Sequence, residues 1–464
     1  MKKIISLLLV AVMLFGVMGV LAGCNKGGSK VAADFVMPEG GFDTTKEVTI
    51  VFYHQMGAAL QEILNTAIED FNKIYPNITV EHKTYGDYNG VRDQIKTEIS
   101  VGDQPNMAYC YPDHVALYNV AGAVQTLDVL INDPTYGFTA EQIADFIPAY
   151  YNEGKAFGDD KMYTLPISKS TEVLYYNKTF FEANGLTVPT TWEEMEAVCK
   201  QIKQIDPTCI PLGYDSESNW FITMCEQYGS EYTSVDGENF RFDNETNRNF
   251  VKKFQEWYSQ KLVTTEELSG GYTSALFTGE NDAGTRCYMC IGSTGGATYQ
   301  QPNQTNGVFE FEVGITSIPQ VNPEQPKVIS QGPSICIFKN DDPQEVLATW
   351  LFAKFLTTDV TFQASVSMNN GYAPVIQSVK ENEIYANFLN GYSTANIQAY
   401  AVKVALDQAD AYYVSPAFNG SSVARDQVGL LMQRCMALTG NDLDAAIKRA
   451  FEEAISECKY QAGQ

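Results

Sequence analysis

Few residues of this chain have the types and spacing that chemistry demands. Only three histidines occur, His54, His82 and His114, and none shows the His-x-x-x-His spacing of a metal site or offers material for a triad. Nine cysteines follow residue 24, an odd number that cannot pair completely. The one close pair, Cys287 and Cys290, sits in a stretch that reads as a strand, where residues three apart point to opposite faces. No second Cys or His pair accompanies it, so these thiols read as small buried apolar residues, and neither metal nor cofactor is expected. Gly292-Ser293-Thr294-Gly295-Gly296 follows a predicted strand and exposes backbone N–H groups that suit a hydroxyl, carboxylate or phosphate. It lacks the lysine of a Walker loop, and Ile291 stands where a nucleophile elbow needs glycine.

The most informative motif is N-terminal. Lys2 and Lys3 precede an apolar run from Ile4 to Leu21, which suits a secretory signal over residues 1–23 or a membrane anchor. Leu21-Ala22-Gly23-Cys24 decides for the signal, because it has the form of a bacterial lipobox whose cysteine thiol takes a diacylglyceryl group. Acyl chains on Cys24 would hold the protein on a membrane, each buried methylene adding about 0.8 kcal/mol. Residues 24–46, with Gly27, Gly28, Ser29, Gly40 and Gly41, read as a flexible lipid-anchored tether. The expected location is outside the cell, on the outer face of the membrane.

Positioning elements follow from hydrophobic spacing. Val48 to Tyr53 reads as a strand, and Leu60, Ile63, Leu64, Ala67, Ile68 and Phe71 mark an amphipathic helix ended by Pro76. A strand at Ile78 to His82, a helix from Tyr88 to Ile99 and a strand at Met107 to Tyr111 continue the alternation, with Asp113 as N-cap of the next helix. A second alternating unit begins near residue 163, and Thr190-Thr191-Trp192-Glu193-Glu194 predicts a capped helix to about Ile205. Such alternation predicts mostly parallel sheets covered by helices, and 464 residues exceed one core. The formal net charge of −25 opposes binding to nucleic acid or to anionic lipid headgroups.

With these elements placed, the chain resembles the family 1 extracellular solute-binding proteins, the carbohydrate-binding components of ABC importers, related in fold to maltodextrin- and glycerol-3-phosphate-binding proteins. The resemblance runs from Val48 to the C-terminus. It is carried by Phe71-Asn72-Lys73-Ile74-Tyr75-Pro76-Asn77-Ile78, Gly102-Asp103-Gln104-Pro105-Asn106, Leu165-Pro166 through Tyr175-Tyr176-Asn177-Lys178, and Pro189-Thr190-Thr191-Trp192, all in the family's order. It implies an α/β, two-lobed periplasmic-binding-protein-like fold of type II, with the ligand cleft between lobes joined by hinge crossings. The implied lobes are 47–164 with 319–375 (N-lobe) and 165–318 with 376–464 (C-lobe). The implied crossings are Leu165 to Leu174, Ile315 to Pro319 and Ala373 to Ile376.

The resemblance also implies ligand-binding residues at strand ends. These are Tyr53 and His54 after the first strand, Tyr111 and Asp113 after the third, Ser170 and Thr171 on the first crossing, Trp220 as a stacking ring, Ser293 in the glycine-rich turn, and Gly332, Tyr372 and Arg425 in later loops. Ser170 and Thr171 suit a hinge role as well as a hydroxyl contact, and His54 suits a helix cap as well as a ligand. A sugar would need aromatic faces for its C–H surface and polar partners for its hydroxyl rim. Glycerol-3-phosphate or another charged solute is the second ligand class. An exported carbohydrate-active enzyme is the reading of a different kind; it needs two carboxylates about 5 to 10 Å apart, and no pair stands out. The implied partners are ABC permease subunits with their ATPase, the protein itself acting as a monomer that binds no nucleic acid.

Overall fold

The structure is a computed structural model that describes residues 32–280 and 284–464. The leader and Cys24 lie outside the described residues. Among those described, no helix is long and apolar enough to cross a membrane.

Local rules place the elements. Asp87 caps the helix Tyr88–Ile99 by accepting from Gly90 N–H, and Val91, Ile95 and Ile99, spaced four apart, supply its buried stripe. Thr191 and Glu194 close a reciprocal capping box at the start of Trp192–Ile205. Tyr111, not Asp113, is the N-cap of Pro112–Asn119: Pro112 takes the first helical position, where its missing N–H costs nothing, and Asp113 falls in the first turn.

Two sheets result. The first has the order Ile78–Thr84, Val48–His54, Met107–Cys110, Ser334–Ile337, Leu165–Pro166. Its first three strands run parallel, and Ser334–Ile337 is antiparallel to both of its neighbours. One apolar core, with Phe71, Trp350 and Phe352, and another with Val91, Ile95 and Tyr118, contribute to this lobe. The second sheet contains Tyr412–Tyr413, Val328–Gln331, Ser170–Asn177, Met289–Ser293, Leu212–Tyr214 and Val263–Thr265, with Val313–Ser317 also paired to Ser170–Asn177. Its main core holds Trp192, Trp220 and Trp257.

The chain passes between sheets at Ile167–Lys169 and again at Gly332–Pro333. The second passage corrects the expected crossing at Ile315–Pro319: Val313–Ser317 and Val328–Gln331 both pair with the central strand of the second sheet. The two passages lie against each other, with Ser168 N–H directed at Pro333 O and Lys169 Nζ donating to Gly332 O at 3.0 Å. Gly332 has φ +85°, and a Cβ there would stand 2.5 Å from Ser168 O, so this passage requires glycine. A third segment joins them through the Lys169–Ala373 bridge. Beyond it, Val379 and Tyr385 pack in the first lobe's core, so residues 376–390 do not belong with the C-lobe as expected.

The expected tether is also shorter than its glycines suggested. Phe35 and Phe42 are buried in the first lobe's core, Phe35 N–H donates to Gln125 Oε1 at 3.0 Å, and Asp34 pairs with Lys339 at 2.6 Å. Burial of the two aromatic rings, together with these polar contacts, offsets part of the chain freedom that the segment loses.

Candidate interlobe binding site

Parallel strands of the first sheet end at His54 and Cys110, facing the second lobe, and the crevice beyond such carboxyl ends is where α/β folds take ligands. The two lobes meet there. Arg92 of Tyr88–Ile99 reaches Ser422 Oγ at 3.2 Å and Asp426 Oδ2 at 3.1 Å, both on the helix Ser421–Met436. Next to the passages, Tyr150 stacks on Tyr412 with ring centres 5.4 Å apart.

Between these contacts lies a cavity of about 60 Å³. Tyr111, Asp113 and Glu153 line it from the first lobe; Tyr232, Thr233, Gln331 and Arg425 are among those lining it from the second. Four buried polar atoms of these residues have no hydrogen-bond partner: Asp113 Oδ2, Tyr232 OH, Thr233 Oγ1 and Gln331 Oε1. Buried polar atoms are ordinarily satisfied, and four unpartnered ones on residues that line one cavity make it the candidate binding site. Arg425 is the one cationic side chain among the described lining residues, and it already donates to Asn219 Oδ1. The volume is below the several hundred Å³ typical of a ligand pocket, so a solute larger than water needs the lobes to separate about their passages.

A row of tyrosines runs across the same interface. Tyr88 and Tyr111 lie 4.8 Å apart by ring centres. Tyr372, on the third connecting segment, is 3.3 Å from Tyr88 by hydroxyl oxygens. Its ring packs where a Cβ on Gly295 would stand, 2.6 Å away, so Gly295 admits the ring and Ser293 caps the turn below it.

The structure thus brings Tyr111, Asp113 and Arg425 to one cavity and Tyr372, Ser293 and Gly332 to its surroundings. It removes others. Trp220 is fully buried in the second lobe's core, stacked on Tyr214 at 4.7 Å and against Phe254 at 3.9 Å, and has no face for a ligand. Tyr53 packs in a core with Val91 and Ile95 and donates to Glu98. His54 is buried; its Nδ1 accepts from Met56 N–H and its Nε2 lies 2.9 Å from His82 Nδ1, and burial lowers its pKa to about 4. Thr171 Oγ1 donates to Ile329 O at 2.8 Å, and Ser170, 2% exposed, pairs with Gln331 across the sheet, so both serve the hinge.

Sequence reading missed Glu153, Tyr232, Thr233 and Gln331. The one available signal was the polar Ser330-Gln331 at the end of an apolar strand. Among the described residues, nine cysteines are free and buried and no cluster is arranged to hold a metal ion.

Residues 66–389 match the family model of the bacterial extracellular solute-binding proteins. The chain belongs to that family. This solute-binding protein is 28% identical over 222 residues to the multiple sugar-binding protein of Streptococcus mutans, an alignment covering 46% of each chain. It therefore spans about half the length of that relative. It is 22% identical over 346 residues to the sn-glycerol-3-phosphate-binding periplasmic protein of Salmonella typhimurium, covering 72% of this chain and 75% of that one. Among solved structures, an ABC substrate-binding protein from Listeria monocytogenes in complex with cycloalternan superposes with a TM-score of 0.71 at 17% identity, covering 90% of this chain and 100% of that one. The UgpB protein of Mycobacterium tuberculosis in complex with glycerophosphocholine gives 0.71 at 16% identity, covering 89% and 99%. The two-lobed fold of type II periplasmic binding proteins is shared with both.

Proposed function

We propose that this protein captures a neutral sugar or short oligosaccharide between its lobes and delivers it unchanged to the permease of an ABC importer. The observation that carries the reading is the set of four unpartnered polar atoms on residues lining the interlobe cavity. Asp113 and Gln331 supply acceptors, Tyr232 and Thr233 supply hydroxyls that donate or accept, and a polyol offers both in return. The row of Tyr88, Tyr111 and Tyr372 supplies aromatic surface beside them. A phosphate group fits the lining less well: Asp113 would oppose it and Glu153 is already paired with Lys169, with Arg425 alone in favour. Capture without chemistry is the role named for the relatives. The reading includes a lipid anchor on Cys24, a soluble monomeric body, an importer permease with its ATPase as partners, and lobes of 34–166 with 334–390 and 170–331 with 412–464, joined by the intervening segments.

A thermal-shift screen of the exported protein against mono- and oligosaccharides, glycerol-3-phosphate and amino acids tests this. A ligand at one hundred times its dissociation constant adds about 2.7 kcal/mol to stability. A shift with a neutral sugar that is recovered intact is the expected result. A shift with glycerol-3-phosphate alone overturns the ligand class, and release of a cleaved product overturns the binding role.

A further inference from the structure

Glu172 lies on the central strand Ser170–Asn177, three residues beyond Lys169 of the first passage, and is 2% exposed. Its Oε2 accepts from Tyr214 OH at 2.6 Å, and the Asn219 side chain lies close enough to favour its ionised form. Asn219, itself 3% exposed, uses its Oδ1 to accept from Arg425, the cation of the interlobe cavity. One carboxamide therefore stands between a buried anion and a cavity cation, NH₂ toward the carboxylate and C=O toward the guanidinium.

We propose that Glu172 is a positioning residue for the binding site: its ionised carboxylate orients Asn219 so that Arg425 is held at the cavity, and protonation of Glu172 releases that hold. The chemistry follows from the donor inventory. An ionised carboxylate only accepts, and so fixes the amide NH₂ toward itself; a protonated one also carries an O–H donor that seeks an acceptor. The acceptor at hand is Asn219 Oδ1, which then either turns away from Arg425 or is shared with it. The linkage is placed to act near neutrality. Burial pushes the Glu172 carboxyl up to about 7, against the opposing pull of Tyr214, Asn219 and Arg425. The groups that face it are Tyr214 and Asp215 at the end of Leu212–Tyr214, one strand removed across Met289–Ser293, Tyr413 on the edge strand Tyr412–Tyr413, Asn219, and Arg425; Asp215 adds to the upward push. Gln408 donates to its backbone oxygen, which fixes the main chain and leaves the carboxyl free to titrate.

This inference rests on the cavity being the ligand site, but its test needs no ligand, so the two readings fail separately. The full exported chain has seven arginines, so a ¹⁵N-arginine spectrum is sparse. Arg425 is assigned by its loss in Arg425→Lys and followed through neutrality, alongside the ¹³C carboxyl signal of Glu172. The expected result is one shared midpoint for Glu172 and Arg425 in the wild type. In Glu172→Gln the Arg425 signal no longer titrates, and in Asn219→Ala Glu172 still titrates while Arg425 stays flat. An Arg425 signal that is flat in the wild type, or that titrates alike in either variant, overturns the proposal. If Glu172→Gln does not fold, the Asn219→Ala comparison carries the decision.

Discussion

Lys169 Nζ lies 2.7 Å from Glu153 Oε2, and neither side chain is more than 2% exposed. The pair sits where the chain passes between lobes, and further hydrogen bonds support it: Lys169 also donates to Gly332 O, and Ser330 Oγ donates to Glu153 Oε2. Burial pushes the Glu153 carboxyl up, and Lys169 and Ser330 hold it back. Removing one partner leaves a charge stranded away from water. Lys169→Met is expected to cost about 3–5 kcal/mol in denaturant unfolding, whereas Lys169→Met with Glu153→Leu recovers most of the loss. An undiminished midpoint for the single variant would show that the pair does not govern the hinge.

Arg92 is the cation that spans the lobe interface far from the passages, and it is 12% exposed at its side chain, against 46% for Asp426. With one partner so exposed, the contact contributes about 0.5–1 kcal/mol, less in high salt. That is still enough to change the ratio of closed to open molecules several-fold. Arg92→Ala is expected to enlarge the radius of gyration measured by small-angle scattering, and added salt should enlarge the wild type in the same direction. Equal radii for variant and wild type at low salt would mean that other contacts keep the lobes together.

Much of the fold was readable in sequence because its signals are local. The helix Tyr88–Ile99 and the Thr191–Glu194 capping box stand where spacing put them, since each is decided within a few residues. The second passage was misplaced because it depends on which sheet Val328–Gln331 joins, and an apolar strand does not carry the identity of its neighbour. The site divides along the same line. Tyr111 and Asp113, which line the cavity, follow a strand end that hydrophobic spacing marks, while Tyr232 and Thr233 arrive from a loop with no periodic signal. Trp220 was misread because its type suits both a sugar face and a core.

Trp220 supplies a direct test of that misreading. Its ring is enclosed by Tyr214, Phe254 and Trp192. Trp220→Phe should leave a void and lower unfolding stability by about 1–3 kcal/mol, in keeping with large-to-small core changes. Affinity for whichever sugar the thermal screen identifies, measured by calorimetry, should change little. A loss of binding above tenfold with unchanged stability would restore Trp220 to the cleft.

The paired histidines make the first lobe sensitive to acid. Since His54 Nδ1 accepts from Met56 N–H, its proton is on Nε2 and points at His82 Nδ1; His82 Nε2 in turn lies 3.0 Å from Asn65 Oδ1. Both rings are therefore neutral, and a second proton has no acceptor. Burial and the neighbouring His82 bring His54 from its ordinary 6.5 down to about 4; burial also lowers His82, and His114 falls to about 4. The unfolded chain thus takes up protons first. Stability from these groups is complete above the unfolded value near 6.5 and is lost as pH falls from there toward about 4. At about 1.4 kcal/mol per unit of depression, His54 alone accounts for up to roughly 3 kcal/mol. Urea unfolding across this range should show a steep acid loss in the wild type and a shallower one in His54→Gln, whose side chain still accepts from Met56 N–H. Parallel curves would mean that carboxylates, and not His54, set the acid limit.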